Sequence, residues 1–154
     1  MITDIEEETL DLDWFSVDDN GEIAHFASGG RGFLPSSVKV SRTNLARITA
    51  YFRRDLDANG SAIESANLSL HTEFNSEAEK ARYMADYSRM AAKGLYSFDC
   101  VIDHKRPCNY YLVARPSCTL KVNDLPDDIQ QIINITSFAG QFRSSAIVKQ
   151  DEFS

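Results

Sequence analysis

The sequence predicts an α+β domain, with an antiparallel sheet built from two hairpins and packed by two longer helices and one short helix. Three observations carry this expectation. An Asn-Gly pair, Asn20-Gly21, separates two β-favouring runs. A second pair of aromatic-rich runs lies near residues 95–102 and 109–114. Two segments with apolar residues at helical spacing end at glycines. A chain of 154 residues, 43% hydrophobic and 25% charged, has the size and composition of one globular domain. Residues 1–154 are therefore read as a single unit, with residues 1–10 free to fray at the terminus.

The first hairpin pairs Leu12–Val17 with Glu22–Ala27, where Ile23 and His25 share one face and Ala24 and Phe26 the other. Asn20-Gly21 supplies the positive-φ residues of a two-residue type I′ turn. The glycine-rich stretch Ser28-Gly29-Gly30-Arg31-Gly32 then reads as a loop, because neither a Walker nor a dinucleotide-binding spacing is present. Leu45, Ile48, Phe52 and Leu56 mark one face of a helix over 41–57, with Arg47, Arg53 and Arg54 turned away and Asn59-Gly60 closing it. Leu68 and Leu70 alternate with polar residues, which reads as a short strand over 66–72. Ser76-x-x-Glu79 opens a helix that packs Ala81, Met84, Tyr87, Met90 and Ala91 and stops at Gly94. The second hairpin joins 95–102 to 109–114 through a turn around His104–Pro107. A short helix begins at Asp124-Leu125-Pro126 and buries Ile129, Ile132 and Ile133, and Ser145–Lys149 reads as a last edge strand.

Charge is the most uneven property of the chain. The net charge is −7, yet residues 1–30 hold nine acids and no Lys or Arg, a balance of −9. The remaining residues carry 14 acids against 16 bases, a balance of +2. The acidic segment can serve as a solvated terminus or as a docking face for a basic partner, and Arg31, Lys39, Arg42, Arg47, Arg53 and Arg54 can pair with it within the fold or form a small basic patch of their own. An acidic domain is a poor match for nucleic acid, whose phosphates require Lys and Arg. No apolar run approaches the roughly 20 residues that span a bilayer. The acidic N-terminus is unlike a signal or transit peptide, so a cytoplasmic protein with three free thiols is expected.

Known chemical signatures are missing. Asp55-x-Asp57-x-Asn59-Gly60 opens like a calcium loop, but its twelfth position is Ala66 instead of glutamate. Cys100, Cys108 and Cys118 match no zinc spacing. No nucleophile elbow, zinc-protease or deaminase motif occurs. Neither metal nor cofactor is expected, and a binding protein is favoured over an enzyme. The candidate contact residues are Asp11, Asp13, Asp18, Asp19 and Glu22 for charge, with Arg31 in the glycine loop, and Trp14, Phe15 or Phe33 as apolar anchors. A competing reading is a small enzyme or ligand-binding domain that uses the Gly29–Gly32 loop with Arg31 and His25.

Two stretches resemble a known group. Asp13-Trp14-Phe15-Ser16-Val17-Asp18, followed by Gly21, Ile23-Ala24-His25-Phe26 and Leu34-Pro35, resembles the opening hairpin of small bacterial immunity proteins encoded beside polymorphic toxins. Tyr111-Leu112-Val113-Ala114-x-Pro116 with Leu125-Pro126-x-x-Ile129 is similar to their closing half. The resemblance covers about a third of the chain. It implies a protein that binds a cognate toxin domain and blocks it by stoichiometric occlusion. It transfers no specific contact residues, because such interfaces diversify with the toxin.

Overall fold

Six strands form one sheet in the order β1-β2-β4-β5-β3, with β6 also paired to β5. The computed structural model describes residues 1–30, 34–101 and 108–154. Arg31 and Phe33 lie outside the described residues, as does the turn expected around His104–Pro107. The strands are β1 Asp13–Val17, β2 Ile23–Ala27, β3 Ala62–Glu64, β4 Tyr96–Cys100, β5 Asn109–Pro116 and β6 Ile147–Lys149. The helices are α1 Asp4–Thr9, α2 Ser36–Lys39, α3 Arg42–Ala50, α4 Glu77–Ala92 and α5 Asp127–Ile133.

The mixed α+β class and both hairpins stand as expected. One pairing differs: the hairpins meet through a parallel seam in which His25 faces Ser97 and Phe26 faces Phe98. A parallel neighbour needs a long crossover, and the chain from α2 to α4 supplies it. Alternation then sorts the strand residues between two covered faces. Trp14, Phe26, Phe98, Tyr110 and Val148 pack with Phe138 and Phe142 on one face. Phe15, Ile23 and Leu95 pack on the other against Ile48, Phe52, Met90, Ile129 and Ile133 of the helical layer.

Several local expectations are corrected. The first hairpin closes with a three-residue loop, since Asp18 donates its N–H to Glu22 O and Gly21 donates to Asp18 O. Gly21 takes the left-handed position at φ 73°, so the extra residue forms a bulge and not a two-residue turn. Residues 1–10 are anchored. Thr3 and Glu6 cap α1 reciprocally, and Ile2 is buried. Helix α3 continues into a wider turn, Tyr51–Asp55, closed by Leu56 N–H to Tyr51 O at 3.0 Å. Asn59 and Gly60 do not cap that helix, because their N–H groups donate to Ala92 O at the end of α4. The strand expected over 66–72 is a single tight turn, Leu68–Leu70, and the strand itself lies earlier, at β3. Ala81 is exposed on α4.

Gly94 ends α4 at φ 105°, where a Cβ would lie 2.7 Å from Leu120 backbone. The edge strand over 145–149 is present as β6. The expectation of three free thiols is overturned: Cys100 and Cys108 form a disulfide across β4 and β5, leaving Cys118 free and exposed. Strand pairing brings the two thiols together across the connection, which a spacing pattern cannot reveal. The cysteines therefore no longer argue for a reducing compartment. Among the described residues, no helix is long and apolar enough to cross a membrane.

Candidate functional site

The helical face of the sheet carries polar side chains at one end. Asp13 of β1 and His25 of β2 both point to this face, and the parallel seam sets Ser97 of β4 beside His25. His25 Nε2 lies 2.8 Å from Asp13 Oδ1, and Nδ1 lies 2.7 Å from Ser97 Oγ. The wide turn after α3 aims Arg53 at the same carboxylate, with Nε donating to Asp13 Oδ2 at 2.6 Å. Burial pushes Asp13 up, but the His25 bond and the His25 and Arg53 charges outweigh it, so its carboxyl lies below the usual range.

Helix α4 supplies the opposite wall. Asp86 approaches Arg53 at 3.6 Å. Tyr83 donates its hydroxyl to Asp99 Oδ2 at 2.7 Å, Tyr111 donates to the same oxygen at 3.1 Å, and the two phenol oxygens lie 2.6 Å apart. His71 stacks on Tyr111 with ring centroids 4.6 Å apart. Burial first, then the Asp99 charge, raises the phenols of Tyr83 and Tyr87 well above their ordinary range. The space between the walls is a cleft of about 260 Å³, lined by Asp11, Asp13, His25, Ala27 and Arg53 on one side and Arg82, Tyr83, Asp86 and Tyr87 on the other.

The order Ser97–His25–Asp13 resembles a nucleophile, base and carboxylate. Ser97 is wholly buried in a central strand, however, so its hydroxyl orients the imidazole and does not meet a substrate. What the cleft offers is a field. Among the lining residues Asp11, Asp13 and Asp86 outnumber Arg53 and Arg82, a formal balance of −1 over those side chains. A low-dielectric aromatic wall strengthens that field toward a cation. Among the described residues, no group of three or more His, Cys, Asp or Glu side chains is arranged to hold a metal ion.

The sequence-predicted contact residues separate into four groups. Trp14 is no anchor: it is fully buried, stacks on Phe26 at 4.0 Å and donates its indole N–H to Tyr110 Oη at 3.2 Å. Phe15 is buried on the opposite face, because both sides of the sheet are covered. Asp18 is also buried, accepting the N–H groups of Asn20, Glu22 and Phe142, each at 2.9 Å. Glu22 is sealed between Arg143 and Lys121. Asp13 stands in the cleft. Asp11 is exposed beside the cleft, where it accepts the Gly29 N–H at 2.9 Å, and Asp19 is exposed at the hairpin tip. A five-residue strand, roughly 16 Å long, separates those last two acids, so they do not share one docking face.

The acidic segment is instead spent largely within the fold. Lys39 pairs with Asp4 at 2.6 Å and with Glu7 at 2.7 Å, and Arg42 pairs with Glu6. Sequence reasoning missed Arg53, Arg82 and Asp86 as cleft residues and Ser97 and Asp99 as the groups bonded to His25 and Tyr83 behind it, and placed Tyr87 simply in the core. One signal was present: alternation through Leu95, Ser97 and Asp99 puts two polar residues on a helix-covered face. No family model matches the sequence, and no curated protein or solved structure is significantly similar to it.

Proposed function

We propose that this chain is a binding protein of the immunity type, which neutralises a basic toxin or effector domain by occluding it. Its contact centres on the cleft between the Arg53 turn and α4, not along the hairpin. The observation that carries the reading is the cleft's excess of carboxylates over guanidinium groups, set against tyrosine walls. Resemblance of the hairpin and of the 111–129 stretch to immunity proteins supports the class. The reading needs neither catalysis nor a cofactor, and the buried Ser97 is consistent with binding over hydrolysis. His25 within the cleft and Gly29 tied to Asp11 also favour a second reading, a small-ligand site.

The test is to read the neighbouring reading frames and co-express this chain with any toxin-like domain they encode, followed by association kinetics across a salt series. Wild type should protect the host and associate more slowly as salt rises. Asp11→Asn with Asp86→Asn should slow association at least threefold and flatten the salt slope. An unchanged rate and slope in the folded double variant overturns the cleft as the contact. Absence of both protection and complex formation overturns the immunity reading.

A further inference from the structure

A second cavity of about 340 Å³ adjoins the cleft, with Ile2, Leu12, Leu45 and Ala50 among the residues that line it and Leu10 and Ala46 at its mouth. Asp11, Asp13 and Arg53 line both spaces, so the Asp13–Arg53 ion pair is the wall between them. The two sides differ in chemistry. The second groove is largely apolar, and its charged rim is balanced, with Arg42, Arg53 and Arg54 against Glu6, Asp11 and Asp13. The first is aromatic and carries Asp86 on its far wall.

We propose that the cleft and the groove form one bipartite site, which receives a partner segment carrying an apolar side chain close to a basic one. This rests on the reading of the cleft as the partner contact. Charge sets the orientation. In the groove Arg42, Arg53 and Arg54 balance Glu6, Asp11 and Asp13, whereas in the cleft Asp11, Asp13 and Asp86 exceed Arg53 and Arg82 beside Tyr83 and Tyr87, so a cation is drawn to the cleft. The apolar side chain fills the groove over Leu45 and Ala50, and Leu10, 45% exposed, becomes covered. Each half is small, so specificity comes from the requirement for both at a fixed separation.

Acetylated, amidated peptides with leucine and arginine separated by zero, one or two serines are the probes, followed by amide chemical-shift titration of the full chain. The best Leu–Arg peptide should bind about tenfold tighter than the matched peptides in which serine replaces either leucine or arginine. It should shift amides on both sides of the Asp13–Arg53 wall. Ala46→Trp, at an exposed position on α3, should abolish the advantage of leucine, and Leu10→Ser should reduce it. Asp11→Asn with Asp86→Asn should abolish the advantage of arginine. Equal binding of leucine and serine peptides overturns the bipartite site while leaving the cleft contact standing. No binding at any spacing overturns the bipartite site, and the co-expression experiment then judges the partner reading separately.

Discussion

Two ends of the same hairpin bury acids for different ends. At the tip, Asp18 and Glu22 are closed in: Asp18 binds three backbone N–H groups, and Glu22 has no exposed surface beneath Arg143 and Lys121. At the base, Asp13 is held just as firmly by His25 and Arg53, yet it borders an open cleft. Both arrangements satisfy the rule that a buried charge must be paired and hydrogen-bonded. Only one of them remains reachable. Paired acids alone therefore do not mark a site, whereas a paired acid with a vacant neighbouring volume does.

The sharpest break of this comparison is Asp18→Ala. It leaves the N–H groups of Glu22 and Phe142 without an acceptor in the interior, at about 1–3 kcal/mol each. A total loss of about 3 kcal/mol is expected in urea unfolding, and a loss below about 1 kcal/mol would mean that the tip is not the structural knot it resembles. Asp13→Asn keeps the shape but removes the charge that faces Arg53 and His25. Its cost should be smaller, about 1–2 kcal/mol by the same measurement, and a cost above that of Asp18→Ala would reverse the ranking of the two ends.

Acid should act on both ends together. Burial raises Glu22, but the bonds from Arg143 and Lys121 prevail and lower it, and Asp13 is lowered likewise. At the terminus, the Thr3 backbone bond and Arg42 bring Glu6 down from 4.5 to about 2. Folded carboxylates with lowered values bind fewer protons than unfolded ones, so their contribution is complete above the ordinary carboxylate range. It should be lost as the pH falls from 4.5 toward about 2, following the Glu6 shift. Thermal melts across that window should show a falling midpoint, and a flat profile would contradict the pairing. The smallest effect belongs to Asp86→Asn on the exposed rim, which should stay within about 0.5 kcal/mol of wild type in stability while altering association.

Both hairpins, the bodies of the two longer helices with the Ser76 cap, and the short Ile129 helix were legible because each depends on neighbours in sequence. Asn-Gly between alternating runs, Ser76 three residues before Glu79, and Pro126 before two acids are local chemistry. Consecutive aromatic residues at 14 and 15 required one to face inward, but alternation alone could not say that the other face is covered too. Charge imbalance in residues 1–30 was equally legible, and its destination was not. Lys39 and Arg42 follow those acids in sequence and absorb three of them only because α1 packs beside α2 and α3.

The sequence by itself determined the α+β class, the alternation within each strand and the excess of acid, whereas the three-residue turn set the register that puts His25 and Asp13 on one face. Tertiary structure decided everything that depends on distance across the chain. The parallel seam set Ser97 against His25, the wide turn after α3 delivered Arg53 to Asp13, and strand pairing joined Cys100 to Cys108. Alternation and capping act over a few residues, so local composition encodes them. A cleft between β1 and α4 is the gap left when remote elements pack, and no local pattern specifies a gap.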